Sequence, residues 1–195
     1  MFKLLNMEPE ESITIIQSMI ERSKQKISNS SKHFLLWGWA VFLSALGQYF
    51  WTKLHYPNGF LIWLSMPLAA VVALIMGIND KKTQTVSTYT QDAIRKLWWS
   101  MTLGFILLAY YQLNGHGNSI PIFIMLYGIG ILTTGNLLEF KPLIIGGSLC
   151  FIISLIGMRM ENDLNQLLLL ALAVLVSYII PGYLLRAAYK NERNQ

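Results

Sequence analysis

Six stretches of this chain, at 34–51, 60–78, 97–113, 120–138, 142–158 and 164–185, contain no Asp, Glu, Lys, Arg or His. Each matches the roughly 17–25 residues a helix needs to cross about 30 Å of hydrocarbon. Lipid offers the backbone no hydrogen-bond partners, so each N–H and C=O must be satisfied within the segment, and helix is the state that does so. The runs are continuously apolar, without the in–out alternation of a membrane β-barrel. The expected fold is therefore all-α: an integral membrane bundle of six transmembrane helices in three antiparallel hairpins.

Charge distribution gives the orientation. Lys3, Arg22, Lys24, Lys26 and Lys32 precede the first run, and Lys81, Lys82, Arg95 and Lys96 separate the second from the third. Lys141 follows the fourth run, and Arg186, Lys190 and Arg193 follow the sixth. An even number of crossings puts these 13 cations on one side, against Lys53 and Arg159 on the other. Lys and Arg are retained on the cytoplasmic side, so both termini are expected in the cytoplasm and the location is the inner membrane. Trp37, Trp39, Trp98 and Trp99 then mark cytoplasmic ends, and Tyr49, Trp51, Trp63, Tyr110 and Tyr111 mark outer ends. Such rings favour the headgroup layer. The formal charge of +5 is read as membrane topology, not as affinity for nucleic acid, which is not expected as a partner.

Three regions follow: an amphipathic cytoplasmic segment at 1–33, the six-helix domain at 34–185 and a basic tail at 186–195. The start has Lys3 as its only cation before Glu8, Glu10 and Glu11, and lacks the apolar core of a cleaved signal. Over 10–27, Ile13, Ile16, Met19, Ile20 and Ile27 recur at helical spacing opposite Glu21, Arg22, Lys24 and Lys26. Such a helix lies on anionic lipid or packs on another protein, so Ile13, Ile16, Met19 and Ile20 are a candidate lipid or partner surface. Membrane lipid, a cytoplasmic or membrane protein and a second copy of the chain all stand as partners.

Helix packing in lipid depends on small side chains that let backbones approach. Ala40 and Ser44, Ala69, Ala73 and Gly77, Ala173 and Ser177, and the pair Gly146 and Gly147 are the expected packing positions. Pro67 and Pro181 each remove a backbone hydrogen bond and are read as bends. The turns at 55–59 and 114–118 carry Gly and Asn, which tolerate the positive φ of a reversal. Pro142 suits the first position of a helix.

Sites of chemistry are scarce. Thr133, Thr134 and Asn136 cluster near Glu139 as a candidate polar vestibule, though hydroxyls in membrane helices commonly bond to their own preceding turn. Nucleophilic catalysis needs a base beside the Ser or Cys, and Cys150 has none nearby in sequence. His33, His55 and His116 lack companion carboxylates or thiols, so neither metal nor cofactor is expected. A non-enzymatic interaction or regulatory role is the leading expectation. The alternative is a transporter or channel for a small uncharged solute, since ion coupling usually uses an intramembrane acid or His.

Leu35-Leu36-Trp37-Gly38-Trp39, the stretch from Leu138 through Glu139, Phe140, Lys141 and Pro142 to Gly147, and Ile180-Pro181-Gly182-Tyr183-Leu184-Leu185-Arg186 resemble segments of a family of small multi-pass membrane proteins from bacteria of the Bacteroidetes type. The resemblance covers nearly the whole chain, amphipathic start included, and implies no particular activity.

Overall fold

No Pro lies between Glu10 and Lys53, and the first helix runs unbroken through Gly38 and Gly47. The computed structural model describes the backbone of residues 9–83, 89–114 and 119–193, and the side chains of 31–79, 90, 92–114 and 119–187. Helix α1 (Pro9–Lys53) runs for 45 residues without a break. No Pro or Gly occurs from Glu10 to Trp37, so nothing at the junction of polar and apolar sequence unwinds it. The amphipathic stretch expected over 10–27 is helical and continuous with the first span, the whole being about 67 Å long at about 1.5 Å per residue.

The chain turns after Lys53 through His55 (φ 62°) and Asn58 (φ 61°), both left-handed. A short 3-10 helix (Gly59–Leu64) leads into α2 (Ser65–Thr83). Pro67 falls in the first turn of α2, at a change of winding, and does not bend a continuous helix as expected. α3 (Tyr89–Leu113) has Asp92 in its first turn, where a carboxylate opposes the helix dipole, and Asp92 bridges Arg95 at 3.0 Å.

α4 (Ile120–Leu138) ends at Glu139, whose φ of 54° lets Phe140 N–H return to the Gly135 carbonyl at 3.0 Å. α5 (Lys141–Met158) starts with Pro142 in its first turn. Asn162 caps α6 (Asp163–Val174), its Oδ1 accepting from Leu164 N–H at 2.9 Å. A π-helical turn (Leu175–Ile179) joins α6 to α7 (Ile180–Arg193). The bend expected at Pro181 is thus a widened turn, in which one extra residue absorbs the lost hydrogen bond and the clash of the ring.

All described regular structure is helical, and five segments are long and apolar enough to cross a membrane: Ser31–Lys53, Gly59–Asn79, Ile120–Leu138, Lys141–Met158 and Asp163–Ala187. α3 is long enough at 25 residues. Asp92, Arg95 and Lys96 at one end, and Tyr110, Tyr111 and Gln112 at the other, dilute its apolar middle below that level.

The α6–π–α7 column sits at the centre, packed on α1, α4 and α5. Val41, Ala45, Ile124, Ile131, Leu143, Cys150, Leu170 and Val174 form the buried core among these helices. α2 packs on α1, and α3 packs on α4. Both present broad apolar faces outward, through Leu68, Leu74 and Ile75 on α2 and Leu103, Leu107 and Leu113 on α3. Faces of this size and continuity suit a hydrocarbon solvent.

Candidate functional site

The widened turn ahead of Pro181 directs Tyr178 into the bundle, where it is 3% exposed. Three rings from three helices surround it. Phe34 of α1 and Tyr127 of α4 have centroids 5.6 Å from it, and Trp98 of α3 lies 6.0 Å away. The Tyr127 ring stands perpendicular to Tyr178, the edge-to-face arrangement that ring quadrupoles favour. Tyr127 continues the cluster to Phe105 at 4.7 Å, and Phe105 stacks on Phe123 at 6.0 Å. This aromatic stack links the outlying α3 to the central column.

Behind Tyr178, helices touch through glycine. A Cβ placed on Gly146 would stand 2.8 Å from Ser177 Cα, and one on Gly147 would stand 2.6 Å from the Leu132 amide nitrogen. Close backbone approach of this kind maximises dispersion contact where lipid gives little drive for association.

The buried hydroxyls are turned onto carbonyls. Ser177 Oγ donates to Ala173 O at 2.6 Å, and Thr134 Oγ1 to Gly130 O at 2.7 Å. Ser154 Oγ crosses between helices to donate to Pro121 O at 2.7 Å. Cys150 is fully buried, with its Sγ 4.0 Å from the Ala173 carbonyl oxygen. Ser177 and Thr134 each bond to the preceding turn of their own helix, and Ser154 ties α5 to α4. Among the described residues, no group of three or more His, Cys, Asp or Glu could hold a metal ion.

The residues singled out from the sequence are distributed as follows. Ala173 and Ser177 are buried on the central column, facing Cys150 and Gly146 of α5. Ser44 Oγ donates to Ala40 O at 2.8 Å and meets Ser65 Oγ at 2.7 Å, tying α1 to α2. On α2, Ala69 is buried and Ala73 half-buried, whereas a Cβ at Gly77 would meet nothing within 4 Å. Of the vestibule set, Thr134 is buried against its own preceding turn and Thr133 is half-buried. Asn136 and Glu139 are exposed beyond them, and the Asn136 carbonyl accepts from Glu139 N–H at 3.2 Å. Ile13, Ile16, Met19 and Ile20 lie on the backbone of α1, and their side chains fall outside the described residues. The turn at 115–118, with His116, also falls outside them.

Sequence reasoning missed the aromatic cluster, because Phe34, Trp98, Tyr127 and Tyr178 are far apart in the chain and Trp98 reads as an interfacial anchor. It also passed over Gln166, which is 4% exposed and donates through Nε2 to Met160 O at 2.7 Å. The available signal was its place among leucines one turn into a helix. Compared with models of known families, with characterised proteins and with solved structures, the chain has no match.

Proposed function

We propose that this chain is a multi-pass protein of a bacterial inner membrane that holds a protein partner at the cytoplasmic surface without catalysing a reaction. In this reading six helices cross the bilayer as three antiparallel hairpins. α3 crosses with its aromatic and polar ends in the two headgroup layers. Support comes from α3's length of 25 residues and from the placement of 13 Lys and Arg against 2 that an even number of crossings produces. The sequence likeness at 35–39, 138–147 and 180–186 supports membership of the family of small multi-pass proteins named above.

The observation that carries the functional reading is the continuity of α1. One helix is packed into the centre of the bundle by Phe34, Val41 and Ala45, and the same helix extends to Pro9 with an apolar series along it. An extension rooted this way holds its apolar series at a fixed angle and height, as a docking element must be held. The alternative, passage of a small uncharged solute, draws less support. The hydroxyls of Thr134, Ser154 and Ser177 are committed to carbonyls in a core of Ile, Leu and Val, where a hydrated route needs free polar groups.

Affinity purification of the full chain from its native membrane tests this. A protein should co-purify with the wild-type chain and be lost from the Ile16→Asn, Ile20→Asn double variant, while the variant still inserts and extracts normally. Equal recovery of that protein with both chains would sink the reading.

A further inference from the structure

Tyr127 and Tyr178 carry hydroxyls deep in the bundle that the packing leaves unused. Tyr178 is 3% exposed, yet neither phenol oxygen has a hydrogen-bond partner among the described residues. Neither is sealed in. Among those residues the one side-chain oxygen or nitrogen both sealed and unpartnered is Gln166 Oε1, so both phenol oxygens keep an open side. An unpaired hydroxyl away from water loses the bonds that water would give it. Phe at either position would make the same ring contacts without that loss. Thr134, Ser154 and Ser177 turn their hydroxyls onto carbonyls, and the two phenols depart from that pattern.

The packing shows what the open side faces. α1 and α4 both pack on the central column, and among the described residues they do not touch each other. The Tyr178 ring lies across the gap between them, 5.6 Å from Phe34 of α1 and 5.6 Å from Tyr127 of α4. Half-buried Trp98 of α3 closes one end of the gap, 6.0 Å from Tyr178. α3 meets neither α1 nor α2 among the described residues, so the gap stays open toward the bilayer between them.

Depth selects the occupant. Tyr178 lies against Gly38, seven residues inside the membrane-crossing part of α1 that begins at Ser31, or about 10 Å along the axis. Tyr127 is 11 residues from the Leu138 end of α4, about 16 Å into a helix about 28 Å long. Both rings therefore sit well inside a hydrocarbon layer of about 30 Å, and phospholipid ester groups lie at its edges. Those esters do not reach the phenols, and acyl chains offer no acceptor. A molecule that bonds to them must bring an acceptor oxygen into the hydrocarbon on an apolar body.

We propose that the gap between α1 and α4 binds a lipid-soluble quinone, whose carbonyl oxygen accepts from Tyr127 and Tyr178. A flat ring with carbonyl oxygens suits a site that pairs aromatic walls with a few placed donors. The site is built on α1, α4 and the central column, all among the five segments able to cross a membrane, and it stands apart from the protein-partner reading.

The probe is a para-naphthoquinone with a short isoprenyl chain, titrated against the full chain in nanodiscs. A naphthalene twin with the same chain and no carbonyl is titrated beside it. Bound probe is counted above that held by empty nanodiscs, and the thermal unfolding midpoint is followed with and without it. One quinone should bind per chain and raise the midpoint. Tyr127→Phe, Tyr178→Phe keeps the ring contacts, so without probe it should melt at or above the wild-type midpoint, while its quinone affinity should fall about tenfold. Equal binding of the naphthalene twin would overturn the proposal, as would unchanged quinone affinity in the double variant. A double variant that melts below wild type without probe would give the hydroxyls a structural use and overturn it too. So would a chain that retains no quinone beyond the empty nanodisc, whatever protein co-purifies with it.

Discussion

Glycines in this bundle divide into those that hold helices together and those that do not, and single substitutions separate them. A Cβ on Gly147 would stand 2.6 Å from the backbone nitrogen of Leu132, which no rotamer change can relieve. Gly147→Ala must push α4 and α5 apart and should cost about 1–3 kcal/mol, the usual range for overpacking. Gly77 has open space around it, so Gly77→Ala should be neutral or stabilise by about 0.5–1 kcal/mol through helix propensity alone. Unfolding titrations of both variants in mixed micelles check the pair, and equal effects would contradict the packing described. Glu139 offers the reverse case, since it holds φ 54° without being a glycine. Its exposed side chain has no buried role to lose, so Glu139→Gly should relieve about 1 kcal/mol of left-handed backbone cost. A lower midpoint for that variant in the same titration would show that the carboxylate has a use the geometry does not reveal. The small residues were legible in sequence as a class. Which of them meet a backbone was not, because helix rotation is fixed by distant partners such as Leu132 and Ser177.

At the scale of elements, what sequence conveyed and what it withheld have clear physical causes. Uncharged length marks a helix almost unaided, since lipid leaves the backbone no other solution. Continuity and winding depend on subtler balances. The polar run from Ser28 to Ser31 contains no Pro or Gly, so it costs the helix little, and α1 passes through it. Pro181 reads as a bend, but burial of Tyr178 among Phe34, Trp98 and Tyr127 rewards a widened turn that aims the ring inward. α3 lost apolar character by composition because its ends are aromatic and polar, although its inner face packs on Tyr127 and Gly130. A proline placed in the extension of α1 tests whether continuity matters to function. Ser23→Pro removes a backbone hydrogen bond at a position far from the buried core, with a local cost of about 3 kcal/mol in a helix interior. The bundle from Ser31 onward should retain its stability in detergent, while proteolysis near residue 23 quickens and partner recovery falls as in the isoleucine double variant. Loss of the whole fold instead would mean that the extension helps to hold the bundle together.

For the whole molecule, the crossing number is the quantity on which orientation depends, and α3 decides it. Five helices qualify by length and apolar character. If α3 stays out of the bilayer, the two ends of the chain lie on opposite faces, and the 13 Lys and Arg no longer fall on one side. If α3 crosses, the chain ends share a face and the cations gather there, the arrangement membrane insertion favours. The packing bears on the choice. Trp98 reaches the central column at one end of α3, and Phe105 stacks against Tyr127 and Phe123 further along. α3 therefore runs beside α4 over the depth that α4 itself occupies, with Leu103, Leu107 and Leu113 exposed on its other side. Water is a poor neighbour for those leucines, at about 25 cal/mol for each Å² left uncovered. Single cysteines placed at Tyr56, Glu139, Met160 and Ala188 in a Cys150→Ser background put this to the test. With a membrane-impermeant thiol reagent on intact cells, Tyr56→Cys and Met160→Cys should label. Glu139→Cys and Ala188→Cys should label only after the membrane is opened. Labelling of Tyr56→Cys and Glu139→Cys from the same face would remove α3 from the bilayer and put the two ends of the chain on opposite sides of it.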